Sequence, residues 1–329
     1  MRRIVTVTAI ALGLPAMTAQ AAGEVSPLEV VSAIETTFGA HAGQRRNHIK
    51  GVCFSGEFVG SRAMRPYSSS ALFSGEAVPV IGRFSLSGGN PKAPDTARSG
   101  RGMALQFRLP GGQLHQMAML NTPVFGAAVP QTFLDLMRAT QPDPQTGKPD
   151  PEKVRAFKAS HPDNQPQADF LASNNPPASY AESSYWGIHT FLFINGKQET
   201  TPVRWRFVPF DGERRLSEAA LQAAGANFLE SGIIERTRKG PVRWQMRVTV
   251  GQTGDTENDP TVLWPSDRRE VDAGTLTITA AMPQAGAACE AINFDPLVMA
   301  PGIAPSQDPI LRFRSPAYAI SFARRLSGQ

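Results

Sequence analysis

The chain has 329 residues, enough to bury one sizeable core or two small ones. Hydrophobic residues make up 41% and charged residues 19%, a balance that excludes wholesale disorder. The formal net charge is +5, of which Arg2 and Arg3 in the acid-free stretch 1–21 supply two, and no Lys/Arg run reaches five residues, so a nucleic-acid footprint is excluded.

Met1-Arg2-Arg3, an almost wholly apolar run from Ile4 to Met17 and a closing Ala19-Gln20-Ala21 have the layout of a secretory signal peptide over residues 1–21. The run is too short for a spanning helix, and no later window approaches ~20 apolar residues. These features predict export to a bacterial-type periplasm and a single domain over residues 22–329. In an oxidising compartment Cys53 and Cys289 either pair or stay as buried thiols. With no C-x-x-C and no close His/Cys cluster they make no zinc site.

Ser26-Pro27-Leu28-Glu29 is a capping box with proline at the first helical position. Leu28, Val31, Ile34 and Phe38 then share one helical face, and Gly39 ends the helix. From Gly43 the apolar period becomes two, and strands are predicted at 47–58, 78–86, 102–109, 114–120, 185–194, 203–210, 242–250 and 274–280. Residues 141–180 are rich in Pro, Asn, Gln and Ser and hold one short helical piece near 152–158. Residues 217 to about 238 read as one helix with Leu221, Ala224, Phe228 and Ile233 inward, and 253–272 as a polar loop. Strands with few helices among the early ones predict an antiparallel barrel or sandwich with helices packed outside.

Five histidines are present: His41, His48, His115, His161 and His189. None sits in H-E-x-x-H, and no G-x-S-x-G, P-loop or dinucleotide fingerprint appears, so ordinary hydrolase and nucleotide chemistry lack a motif. His48, at a strand start, is by itself an ordinary satisfied polar residue. Arg83 and Ser85 lie two apart and share one strand face. A buried arginine there needs an anion, either a structural carboxylate or the acid group of a ligand. Near the C-terminal end, Ser315 reads as a helix cap and Pro316 as the first helical residue. Arg314 then stands just before the helix and Tyr318 one turn into it, within reach of each other. A cation there stabilises phenolate, the condition for a phenolate to ligate ferric iron. In isolation the pair is an ordinary surface contact.

In company these residues resemble the haem catalase family from about residue 43 to 329, and the small catalase-related peroxidase subgroup in particular. Arg45-Arg46-Asn47-His48-Ile49-Lys50-Gly51 is similar to the R-x-x-H-x-K/R-G distal motif, and Gly82-Arg83-Phe84-Ser85 to the R-F-S strand after it. The segment from Asp95 to Ala104 resembles D-T-x-R-D-x-R-G-x-A, Asn121-Thr122-Pro123-Val124-Phe125 resembles N-T-P-x-F, and Tyr185 to Phe191 holds a Y-x-x-H-T-F-like strand. Asn293-Phe294-Asp295-Pro296 through Asp308, then Arg314-x-x-x-Tyr318, looks like the haem-ligand motif. Six motifs in the family's order make a chance match untenable.

The resemblance implies an α+β fold, a catalase-like eight-stranded antiparallel β-barrel with surrounding helices, and haem b as cofactor. It implies Tyr318 as the iron ligand with Arg314 keeping it anionic, His48 and Asn121 on the distal side, and Ser85 hydrogen-bonded to the imidazole. Arg45, Arg83 and Arg325 match the family's haem-propionate arginines, and Phe133 the phenylalanine on the distal haem face; His189 lies in a matching strand. His48 would carry a proton between peroxide oxygens as base and then acid, while Asn121 positions the peroxide. The activity implied is a peroxidase reducing organic hydroperoxides, through a ferryl intermediate, with oxidation of an electron donor; hydrogen peroxide is a second candidate oxidant. The alternatives are a hydrogen-peroxide-dismutating catalase, a hydroperoxide isomerase of the same fold, and a non-enzymatic haem- or lipophile-binding barrel. The last fits an intact Tyr318, Arg314 and His48 least, because storage needs no distal acid or base.

The chain departs from catalases in four ways: it stops eleven residues after Tyr318, Asn47 replaces an apolar channel residue, Ser99 replaces the channel aspartate, and Gly126 replaces a second phenylalanine. These changes predict a shorter, wider and more polar access route than that of catalases. A monomer or dimer is expected in place of the family's arm-held tetramer.

Overall fold

The computed structural model describes residues 24–329, so the leader proposed for 1–21 lies outside the described residues. Eight strands, counting the broken pair β5 and β6 as one, close into an antiparallel ring. In order around it they are β1 (Gly51–Gly60), β2 (Ala77–Leu86), β3 (Arg101–Arg108), β4 (Leu114–Leu120), the broken pair β5 (Tyr185–Trp186) and β6 (Phe191–Ile194), then β7 (Thr200–Pro209), β8 (Val242–Val250) and β9 (Glu270–Pro283). β9 returns to β1, and β7–β8 pairing completes the closure, which removes the free edges an open sheet exposes. A short β10 (Ile303–Pro305) pairs with β6.

Strand alternation decides what lies inside. On β2, Val78, Val80 and Phe84 point into the barrel and are buried among Val52, Phe54, Phe58, Phe107, Tyr185 and Trp244. The alternate residues Arg83 and Ser85 therefore emerge on the outer face, and they are buried too, because helices cover it. Those helices are α1 (Pro27–Phe38), α2 (Pro130–Ala139) and α7 (Pro309–Leu326), which pack on one another. On the far side of the chain order lie α3 (Pro151–Ser160), α4 (Gln165–Ser173), α5 (Glu218–Ala223) and α6 (Phe228–Arg238).

α1 has the expected capping box, with Ser26 Oγ accepting from Glu29 N at 3.2 Å and Glu29 Oε2 from Ser26 N at 2.9 Å, and Gly39 closes it at φ 87°. Its buried face is Val30, Val31, Ala33 and Ile34; Leu28, expected inward, is 51% exposed in the first turn. Strand β1 starts at Gly51 rather than residue 47, because His48 sits at φ 56° and cannot join a ladder. The single strand expected at 185–194 breaks into β5 and β6, and β9 runs longer than expected at both ends. The long helix expected over 217–238 is two helices: Ala224 is extended (ψ 137°), and α5 buries no residue. Two helices had no counterpart in the sequence reading, α2 and α4, and neither has a side-chain N-cap.

The largest correction concerns α7. It begins at Pro309, not Pro316: Asp308 Oδ1 accepts from Ile310 N at 2.8 Å and Leu311 N at 3.2 Å, with Pro309 at the first position. Ser315 is mid-helix and bonds Asp295 Oδ2 at 2.5 Å, and Pro316 is a proline inside the helix, without an N–H to offer Arg312 O.

Candidate active site

A cavity of about 240 Å³ lies between the outer barrel face and the helical cover. The barrel side contributes Arg83 and Ser85 of β2, Gly102 of β3 and the turn carrying Arg45 and His48; α1 contributes Val30, Val31 and Ile34; α2 contributes Phe133; α7 contributes Arg314, Tyr318 and Arg325. Of the residues singled out in the sequence, His48, Ser85, Arg45, Arg83, Phe133, Arg314, Tyr318 and Arg325 all line this one space.

His48 is held by its backbone and its ring. Its positive φ is stabilised by Asn47, whose Oδ1 accepts from His48 N at 2.9 Å and from Gly88 N at 2.8 Å. Its Nδ1 meets Ser85 Oγ at 2.9 Å. Glycine at 102 permits this approach, since a Cβ there would stand 2.6 Å from Ser85 Oγ and 3.2 Å from His48 Nδ1. Burial, then repulsion from Arg83, Arg314 and Arg45, pushes the His48 pKa down to about 3, so the imidazole is neutral at ordinary pH.

Tyr318 belongs to a chain of four side chains. Arg314 Nη2 donates to Tyr318 Oη at 2.7 Å, and Arg314 Nη1 to His189 Nε2 at 3.1 Å. His189 Nδ1 lies 2.7 Å from Asp308 Oδ2. A guanidinium has donors only, so His189 Nε2 must carry the lone pair and Nδ1 the proton given to Asp308. His189 and Asp308 are fully buried, and burial holds the His189 pKa below its usual value, consistent with that neutral tautomer. The break between β5 and β6 aims His189 at α7: His189 N donates to Gly187 O at 2.6 Å across Ile188 at φ 53°, a strained three-residue turn for a β-branched residue. Asp308 and Gly102 stand at the site without a role in the sequence reading, and Asn47, read there as a channel residue, holds the His48 backbone. Asp308 had a readable trace, an Asp-Pro helix start.

Three guanidiniums, Arg45, Arg83 and Arg325, converge with few acids in reach. Burial, then Arg83 and Arg325, pushes the Arg45 pKa down to about 8; burial pushes Arg83 down to about 10. Their protein partners are neutral: Gln284 Oε1 accepts from Arg83 Nε (2.9 Å) and Nη2 (2.6 Å), and Ile292 O from Arg45 Nη2 (2.6 Å). Arg325 Nη2 is buried with no hydrogen-bond partner among the described residues. Such a cluster is built for an anionic ligand group, and carboxylates at one edge of an otherwise apolar cavity fit it. Among the described residues no group of three or more His, Cys, Asp or Glu side chains is placed to hold a metal ion.

Asn121 is placed differently. It is buried at the end of β4, its Oδ1 accepting from Arg101 N at 2.6 Å, and it lines a second, smaller cavity with Arg98, Ser99, Arg101 and Arg215. That cavity is about 10 Å³. The arginines fill it, and the side chain missing at Gly126 is replaced by Gln167 and Asn164, whose polar atoms lie 2.6 and 3.0 Å from where a Cβ would stand.

Cys53 and Cys289, left open between a pair and two thiols, form a disulfide with Cα atoms 5.7 Å apart.

The family model for catalase matches residues 31–329. The chain is 59% identical over 308 residues to a catalase-related peroxidase of Synechococcus elongatus, covering 94% of this chain and 91% of that protein. It is 33% identical to a catalase-related peroxidase of Mycolicibacterium paratuberculosis, covering 92% and 96%. A bacterial catalase structure superposes with a TM-score of 0.79 at 25% identity over 87% of this chain and 58% of that one. By its motifs, its barrel and these matches, the chain belongs to the catalase family.

Proposed function

We propose that this protein is a haem-dependent peroxidase that reduces organic hydroperoxides at the expense of an electron donor, with haem b in the main cavity. The observation that carries the reading is one buried space lined by a neutral histidine, an arginine-bonded tyrosine and three guanidiniums short of anions. The names of the two catalase-related peroxidases support it over a dismutating catalase.

Haem would supply the redox-active iron and the site of peroxide O–O cleavage. Tyr318 would hold the iron, with Arg314 keeping positive charge 2.7 Å from the phenol oxygen. Arg45, Arg83 and Arg325 would bind the propionates, and Phe133 would pack against the ring face. His48, with its Nδ1 proton on Ser85 Oγ, would present a bare Nε2 able to take a peroxide proton and return it to the leaving oxygen. Asn121, its Oδ1 held by Arg101 N, would offer its Nδ2 donor to orient the peroxide.

Reconstituting leader-free protein with haem and adding tert-butyl hydroperoxide, with and without an oxidisable dye, tests the reading. A Soret band plus donor-dependent turnover is the expected result. Turnover without donor would replace it by an isomerase, and failure to take up haem would end it.

A neutral His48 has a visible consequence. Its folded pKa lies near 3 against about 6.5 when unfolded. The unfolded chain therefore binds the proton first as pH falls, and stability that is full above about 6.5 is lost on the way down to 3. His115, pushed down to about 3 by burial, adds to this slope. Urea midpoints should fall between pH 7.5 and 4.5, while kcat/KM shows no histidine inflection near 6.5; an inflection there would show that His48 titrates normally.

Export to the periplasm is part of the proposal, supported by the residue 1–21 pattern and by a disulfide, which persists in oxidising compartments. Fractionating cells that express the full chain tests it; wholly cytoplasmic, unprocessed protein would reject it.

A further inference from the structure

We propose that the Cys53–Cys289 disulfide braces the anion-binding arginines, so that retention of the cofactor depends on the oxidation state of this pair. The inference rests on the haem reading above.

Cys53 of β1 stands directly opposite Arg83 of β2 and Met282 of β9 in the two ladders. Side chains of directly paired residues share a face, so Cys53 emerges beside the Arg83 guanidinium on the outer barrel surface. Its partner Cys289 lies in the segment that follows β9. That segment is what the arginines hold on to. Gln284 Oε1 takes two bonds from Arg83, and the carbonyls of Cys289 and Ile292 take Arg45 Nη2 at 3.2 and 2.6 Å. The carbonyl of Glu290 lies 3.4 Å from Arg45 Nη1.

Apart from Gln284 Nε2, which donates to Ile49 O at 3.0 Å, few hydrogen bonds among the described residues tie the segment to the rest of the chain. Its turn bonds are internal, from Ala287 N to Gln284 O, Glu290 N to Ala287 O and Ile292 N to Cys289 O, and Gly286 N bonds Glu290 Oε2. It belongs to no strand. The disulfide, with an apolar cluster of Ile81, Ala104, Met282, Ala287, Ile292 and Phe294 around it, ties it to the barrel. Both cysteines are buried, 2% and 0% exposed.

Reduction by a dithiol breaks the S–S bond. Two electrons and two protons pass to give the Cys53 and Cys289 thiols, and the dithiol closes to its own disulfide. The carbonyls of Cys289 and Ile292 that orient Arg45 are then free to drift, while Arg83 and Gln284 keep their bonds to Ile49 O but lose the neighbouring tie, so propionate contacts at these arginines would loosen. The disulfide is thus a positioning element that touches the anion site only through these arginines.

The experiment is haem transfer from loaded protein to excess apomyoglobin, read at the Soret band. The Cys53→Ser/Cys289→Ser double variant, and wild type reduced with dithiothreitol until two thiols titrate, should release haem at least about tenfold faster, the scale of lost second-layer contacts. Gln284→Ala, with the disulfide intact, should move the same way. A merely structural disulfide would lower the unfolding midpoint alone. Ile233→Ala, a buried core change away from the cavity lining, gives the release rate expected from destabilisation alone. Unchanged release, or release no faster than in that control, overturns the proposal while leaving the haem reading intact. Wild type that never loads haem overturns both.

Discussion

His48→Ala is expected to lower peroxidase turnover by roughly 10²–10⁴-fold, the range for removing a positioned general acid–base. The loss should fall on kcat with haem occupancy unchanged, because His48 touches neither the Arg314–Tyr318 pair nor the arginine cluster through a hydrogen bond. Occupancy is read from the haem absorbance of the same samples used for turnover. Ser85→Ala, which removes the 2.9 Å partner of Nδ1, should cost less, since it frees the ring without deleting it. If His48→Ala retained more than a tenth of wild-type turnover at full occupancy, proton carriage by this residue would be abandoned.

Asp308→Ala is expected to cost stability first and function second. The carboxylate caps two N–H groups of α7 and accepts the His189 proton, all at 0% exposure. Losing the cap costs about 1 kcal/mol, and stranding a buried imidazole donor about 1–3 more, so a fall of about 2–4 kcal/mol is expected. Chemical denaturation measures it. Asp308→Asn separates the roles. Its oxygen still caps α7, but one amide orientation sets an N–H donor against the His189 proton, and flipping that tautomer sets two donors face to face at Arg314. The Asn variant should therefore keep more stability than the Ala variant yet alter the spectrum of bound haem. An unaltered spectrum would place the Asp308–His189 pair outside the influence of Tyr318.

Most of the barrel was legible because its strands alternate cleanly and their turns are rich in glycine and proline. Helix α1 was legible because its capping box is local. What escaped was set by distant partners. Helix α2 follows Val129, an N-cap without a side-chain hydrogen bond, and is held by packing on α1 and α7. The break at Ile188 is strain imposed by the route of His189 to α7, which no propensity predicts. Pro316 misled because proline more often opens a helix than sits within one, while the Asp308-Pro309 start lay seven residues earlier. At the site, residue types and their company identified the cavity lining, but only coordinates separate Asn121, on its own small cavity, from the rest. The pairing of Cys53 with Cys289 was equally beyond reach, since 236 residues separate them.

That long span also governs when the site can exist. The cavity joins residues 30–48 to residues 310–325, and β1 is locked between β2 and β9. Loops of this length close at an entropic cost and slow the search for the native pairing. A partly synthesised chain holds His48 but not Tyr318, and a barrel with an open seam where β9 belongs. The cavity proposed to take haem is therefore incomplete until the last helix docks, and on that proposal loading would follow the docking of α7.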